Sequence, residues 1–181
     1  MTSRQIMTTE DVRRALIRIS HEIVEKHGGT TGLALVGIQR RGLPLAERLA
    51  GLIESNEGAR PPVGGLDITF HRDDRVTDTR QPQLKGTDLP FALEDTTVVI
   101  VDDVLYTGRT VRAAMDALVD IGRPQAVRLA VLIDRGHREL PIRADHVGKN
   151  VPTAREENIS VHLQEVDGGD DEVVIERRSN G

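Results

Sequence analysis

The stretch from residue 98 to 110, VVIVDDVLYTGRT, constrains this chain more than any other part of it. Four aliphatic residues run into two adjacent carboxylates, Asp102 and Asp103, and Tyr106-Thr107-Gly108-Arg109-Thr110 then opens a segment of helical periodicity. An unbroken apolar run of this kind belongs to a strand buried on both faces. The positions Val111, Met115, Leu118 and Val119 spell a helix, which Gly122-Arg123-Pro124 stops. Small and hydroxylated residues at a helix start leave backbone N–H groups without acceptors, and the helix dipole favours an anion there. Gly108 lets the backbone come close to a ligand, and Thr107 and Thr110 add hydroxyl donors. The result is a phosphate cradle beside two carboxylates that repel phosphate. A phosphorylated ribose reconciles the two, with its phosphate in the cradle and its hydroxyls donating to the acids. A polar strand end with capping threonines accounts for the acid pair alone, but not for the whole ordered set.

The rest of the chain supplies a frame for this segment. Val12, Leu16, Ile19 and Ile23 form an apolar stripe on a helix from Thr9 to His27, capped by Thr8 with Asp11 and stopped by Gly28-Gly29. LALVGI, residues 33–38, reads as a buried strand. It leads through Gln39-Arg40-Arg41-Gly42 into a helix with Pro44 in its first turn and Leu45, Leu49, Leu52 and Ile53 inside. Further strands are expected at Val63–His71, Val127–Ile133, Ile159–Val166 and Val173–Glu176. Between residues 72 and 90 the pattern dissolves into charged, Pro-containing sequence, and so long a loop in a small domain reads as a lid. An acidic turn, Asp167-Gly168-Gly169-Asp170-Asp171, opens an acidic C-terminal tail of about 167–181. Buried strands alternating with helices predict one α/β domain with a mainly parallel central sheet flanked by helices. Ligands in such folds sit at the carboxyl ends of the strands.

Composition removes several classes. With 181 residues, 38% hydrophobic and 29% charged, the chain can build a core without staples. It has no cysteine, which excludes disulfides, thiolate metal sites and cysteine nucleophiles. Tyr106, Phe70 and Phe91 are its only aromatics, so stacking bases across a sheet is nearly unavailable. A net charge of −5 argues against a general nucleic-acid coat but not against a local basic face. No stretch approaches a membrane span and MTSRQIMTTED lacks a signal-peptide core, so a cytoplasmic protein is expected. Gly32 and Gly37 are spaced like P-loop glycines, but Ile38-Gln39 stand where Lys-Ser/Thr is required, and no G-x-G-x-x-G follows a strand. A receiver-type signalling domain wants its acid pair near its own start, whereas here 97 residues precede the segment. His27, His71, His146 and His162 are scattered and read as surface or satisfied residues.

The segment VVIVDDVLYTGRT resembles the 5-phosphoribosyl-1-diphosphate (PRPP) signature of type I phosphoribosyltransferases. The continuation through LAVLIDRGHRELPIRADHVGKNVPT is similar to one branch, the bifunctional pyrimidine operon attenuator and uracil phosphoribosyltransferase family. The likeness also takes in VRRALIRISHEI, GIQRRGLPLAERLA and LDITFHRDD, and covers most of the chain. It implies the type I phosphoribosyltransferase fold, with a small hood and a flexible lid. It implies that Asp102 and Asp103 hold the ribose hydroxyls, that Tyr106, Thr107, Gly108, Arg109 and Thr110 hold the 5′-phosphate, and that Arg40, Arg41 and Gly42 hold the diphosphate. Arg72, Asp73, Arg75 and Lys85 would contact substrate from the lid. Arg135, Gly136 and His137, with Val161 from a second segment, would hold the base. Mg²⁺ would bind through substrate and water near Asp102 and Asp103. Uracil would then displace diphosphate at ribose C1 to give UMP, with no general base evident.

Regulatory members of the family bind a stem-loop in pyrimidine mRNA leaders when UMP is present. Arg14, Arg18 and His21 fall at i, i+4 and i+7 on the first helix, opposite its apolar stripe, and Arg138, Arg143 and Lys149 cluster later. These six are the candidate RNA contacts. The family often has a hydroxyl residue where this chain has Ile17, which removes one polar contact. Residues 165–181 carry six acids and two arginines, leaving the body near neutral and able to hold a basic patch. A homodimer or larger homo-oligomer is implied by the resemblance. The alternatives are transfer to another base and RNA regulation with little turnover.

Overall fold

A computed structural model of the chain describes residues 2–69 and 87–177. Among the described residues, strands β1 (Thr2–Met7), β2 (Leu33–Ile38), β3 (Val63–Leu66), β4 (Thr97–Leu105), β5 (Ala126–Asp134), β6 (His146–Asn150), β7 (Glu157–His162) and β8 (Glu172–Arg177) are interspersed with four helices. These are α1 (Thr9–His27), α2 (Gly42–Glu57), α3 (Arg109–Ile121) and the single turn α4 (Gln164–Asp167). Five strands form a parallel sheet in the order β3-β2-β4-β5-β6, as expected. All six residues of β2 are buried, as are the first six of β4, because helices cover both faces of the sheet.

One apolar cluster joins α1 and α2 to the sheet through Leu16, Ile19, Leu45, Leu49 and Val99; the other packs Val111, Ala114 and Leu118 of α3 beneath Ile100 and Val131. The order of β2 and β4 as neighbours places both carboxyl ends, and the turns that follow them, at one edge. Thr8 caps α1 as its sequence suggests: its hydroxyl accepts from Asp11 N at 3.2 Å, and Asp11 Oδ2 accepts from Thr8 N at 2.9 Å.

Three expectations are corrected. The strand begun at Val63 ends at Leu66, and residues 70–71 lie outside the described set. The strand expected to run to Val166 stops at His162, where Leu163 leads into α4. Within the run read as an acidic tail, the strand expected at Val173–Glu176 is present as β8, the middle strand of an antiparallel sheet, β1-β8-β7, with Val173, Val174 and Ile175 buried, so residues 172–177 are not tail. This second sheet is the hood, and Val161, Leu163, Val173 and Ile175 join the same core as α1 and α2. The lid candidates Arg72, Asp73, Arg75 and Lys85 lie outside the described residues.

Candidate active site

Asp102 and Asp103 are the sixth and seventh of the nine residues of β4, at the end of its buried run. Asp102 is buried, 8% exposed, and its Oδ1 accepts from Asp103 N at 2.9 Å; Asp103 Oδ1 accepts in turn from Val104 N at 2.8 Å. Burial pushes the Asp102 carboxyl well above the usual carboxylate range, and the neighbouring Asp103 charge adds to it. Among the described residues no lysine or arginine forms an ion pair with either acid. A cavity of about 300 Å³ opens here, lined by Gln39, Arg40, Arg41, Asp67, Thr69, Asp102, Asp103 and Thr110. Asp67 and Thr69, inside the LDITFHRDD segment but given no role from the sequence, arrive because β3 ends at the same edge as β2 and β4.

Beside it, residues 104–111 enclose a second cavity of about 280 Å³. Gly108, at φ +94°, is the N-cap of α3, a conformation that only glycine adopts freely. The first-turn N–H groups of α3 have no helical acceptors and face an anion's natural position. The Thr107 hydroxyl accepts from Arg109 N at 3.3 Å, and Arg109 Nε pairs with Glu139 at 2.9 Å.

The Arg40-Arg41-Gly42 turn divides its labour. Arg40 is exposed and lines the cavity of the acid pair. Arg41 reaches the hood, where its NH2 lies 2.6 Å from Asp167 Oδ1 and its Nε 3.2 Å from Oδ2. That pairing raises the Arg41 guanidinium further and holds Asp167 below the usual carboxylate range. Gly42 has a structural reason beyond any ligand: a Cβ there would sit 2.3 Å from the Val101 carbonyl oxygen, so α2 could not begin so close to β4. The Gln39–Arg40 peptide is cis.

At the end of β5, Arg135 is buried, with its guanidinium carbon 4.0 Å from the centre of the Tyr106 ring and NH2 donating to Glu157 O at 2.7 Å. Gly136 and His137 both take positive φ, +77° and +61°, and His137 Nε2 meets Thr153 O at 2.5 Å. His137 also sets its ring edge-on to Tyr106, with centroids 6.0 Å apart. Tyr106 and the β5 end are thus one cluster. Val161, by contrast, lies in the core at 4% exposure.

Arg14, Arg18 and His21 are exposed along one side of α1. Arg18 is anchored: its NH2 donates to Gly148 O at 2.6 Å, and NH1 meets Glu22 at 3.1 Å. Lys149 donates to Ile6 O at 3.1 Å, so β6 and α1 bring these cations to one region, and Arg143 is exposed just before β6. Arg138 is bonded to Tyr106 O, Ile142 O and Asp134. His146 departs from expectation: it is buried, one ring nitrogen is 3.3 Å from Glu22, and the other has no partner.

A parallel sheet with an acid pair and a glycine-capped helix start at its carboxyl edge is the arrangement of a phosphoribosyl transferase domain, and the model of that family matches residues 3–165. The hypoxanthine phosphoribosyltransferase of Trypanosoma cruzi shares the fold, with a TM-score of 0.73 over 97% of each chain at 17% identity. Along nearly its whole length the chain is 60% identical to the bifunctional protein PyrR of Pelotomaculum thermopropionicum, over 172 residues covering 95% of each chain. It is also 60% identical to that of Thermus thermophilus, over 166 residues and 92% of each. The chain belongs to the PyrR family of phosphoribosyltransferases. Among the described residues no helix is long and apolar enough to cross a membrane.

Proposed function

We propose that this protein is a uracil phosphoribosyltransferase, making UMP and diphosphate from uracil and PRPP, and a UMP-responsive RNA-binding attenuator of pyrimidine genes in the cytoplasm. The observation that carries the first half is the contact between the two cavities: a buried acid pair at the end of β4 adjoins the glycine-capped mouth of α3. The 5′-phosphate rests on that mouth, the ribose hydroxyls donate to Asp102 and Asp103, and the diphosphate lies toward Arg40. As the C1–O bond to diphosphate breaks and the bond from the uracil nitrogen forms, positive charge grows on the ribose ring, and the two carboxylates stabilise it. The proton on the attacking nitrogen leaves to solvent.

Mg²⁺ fits this donor set. Asp67, Asp102 and Asp103 offer only oxygen, and among the described residues no three acidic or histidine side chains gather as a protein cage. A hard ion held mainly by water and substrate oxygens matches that arrangement. When bound, it neutralises charge on the diphosphate. Arg135, Gly136 and His137 border the base, and the lid candidates 72, 73, 75 and 85 would exclude water.

The RNA half rests on Arg14, Arg18 and His21 along one side of α1, on Lys149 of β6, the strand whose carbonyls Arg18 bonds, and on Arg143 just before β6. Basic side chains of this kind give backbone affinity and read RNA shape. The family leads us to expect a homodimer or larger assembly, which light scattering reads directly.

The test is an assay of uracil, PRPP and Mg²⁺, with other bases in parallel, followed by an RNA gel shift on the same preparation. UMP formation with uracil preferred, and a salt-dependent stem-loop shift that strengthens with UMP, are the expected results. Preference for a purine, or no shift at low salt, sinks the corresponding half.

A further inference from the structure

We propose that Arg138 is a positioning residue that joins the occupancy of the 5′-phosphate loop to the segment 138–143 beside the RNA face. The proposal rests on the nucleotide-responsive reading above. The guanidinium of Arg138 touches three places at once. Its Nε donates to Ile142 O at 2.8 Å, its NH1 to Tyr106 O at 2.6 Å, and its NH2 to Asp134 Oδ2 at 2.7 Å. One planar fork therefore fastens the end of β5, the phosphate loop and the far side of its own loop.

The backbone repeats the connection. Glu139 N and Leu140 N both donate to Thr107 O, at 2.9 and 3.1 Å. Arg109, at the start of α3, reaches Glu139 at 2.9 Å, and Leu140 and Ile142 lie against Gly108. Two successive carbonyls of the phosphate loop, Tyr106 and Thr107, are thus held from one side by residues 138–140.

Peptide planarity turns this into a statement about the ligand. In a trans peptide the C=O and the following N–H point in opposite directions. Holding the Tyr106 and Thr107 carbonyls toward 138–140 aims the N–H groups of Thr107 and Gly108 the other way, toward the cavity that residues 104–111 enclose. A phosphate bound there polarises the same two peptides and strengthens the bonds their carbonyls accept. The segment 138–142 is then more firmly held when a 5′-phosphorylated ribonucleotide is present than when the loop is empty, and Arg143 follows directly after it. Coupling of this kind is reciprocal: RNA that favours the held segment also tightens nucleotide binding.

The test pairs Arg138→Gln with the wild-type chain. Calorimetry on the variant is expected to show UMP bound about 10-fold more weakly, with uridine, which lacks the phosphate, unchanged. The gain in affinity for a pyrimidine-leader stem-loop on adding UMP should disappear. Unchanged UMP binding, with RNA affinity lowered equally with and without UMP, makes Arg138 a direct RNA contact and overturns the proposal. Hydrogen exchange on the wild type needs no variant: UMP, but not uridine, should slow the amides of 138–142, and no slowing there also overturns it. A wild type that binds UMP and protects these amides, yet binds no stem-loop, fails the regulatory reading while leaving the brace on the phosphate loop intact.

Discussion

Arg48 of α2 and Asp171 of the hood meet through two hydrogen bonds, NH1 to Oδ2 at 2.6 Å and NH2 to Oδ1 at 2.9 Å. The same guanidinium takes Glu165, and Asp171 Oδ1 also accepts from Gln164 N at 2.9 Å. Asp171 is 9% exposed, so removing the arginine leaves a largely buried charge without its partner. Arg48→Met is expected to cost about 2–3 kcal/mol and to lower Tm by roughly 5–10 °C in a chain of this size, measured by calorimetric unfolding.

The acid limb of stability follows from the same network. Arg48 holds Asp171 and Glu165 below their usual ranges, and Arg41 does so for Asp167. Depressed folded values mean stability that is present above the unfolded values, about 4, and lost as pH falls through the folded ones. His146, lowered mainly by burial, obeys the same sign: its stability is lost as pH falls past about 6.5. Urea midpoints across pH 7.5 to 3 should therefore decline in two stages, and His146→Gln should remove the upper one.

Asp102 carries the opposite sign. Burial raises its carboxyl, so ionisation at neutral pH opposes folding. Asp102→Asn should raise the Tm of the ligand-free protein by a few degrees. Both it and Asp103→Asn should lower UMP synthesis by at least about 100-fold, with circular dichroism unchanged.

Arg40→Ala together with Arg41→Ala should weaken PRPP binding by at least about 10-fold in calorimetry, since the diphosphate proposed to lie at this turn would lose two guanidiniums. Asp167→Asn is the informative companion. It weakens the hold on Arg41, along with the bond from Leu163 N, and should leave Arg40 in place, giving a smaller loss.

Gly42→Ala should destabilise by about 3 kcal/mol, because the new methyl meets the Val101 carbonyl at 2.3 Å in a tightly packed layer. Thermal unfolding reads the loss, and an unchanged Tm would show that α2 can shift.

Much of this fold was legible wherever one chain segment carries its own signal. The helix Thr9–His27 and the strand Leu33–Ile38 appear with the limits read from their apolar patterns. The strands β1 and β6 escaped notice because TSRQIM and HVGKN lie at sheet edges, with few buried residues to pattern. The acids after Asp167 suggested solvent, yet Asp167 and Asp171 answer arginines 126 and 123 residues away, which no local pattern reveals. At the site, Asp102, Asp103 and Thr107–Thr110 were visible as an ordered motif. Asp67, and the bracing of Tyr106 by Arg135 and Arg138, depend on strand order and stayed hidden.

The anchoring of Arg18 reaches beyond nucleic acid. Its guanidinium occupies the carbonyls of Val147 and Gly148 on β6, the outermost strand of the parallel sheet. An outer strand is a template on which another chain can add, and a cation held against its backbone disfavours that addition. Loss of the arginine proposed to grip a message would therefore be expected to lower solubility as well as control, which aggregation of Arg18→Ala under light scattering would read.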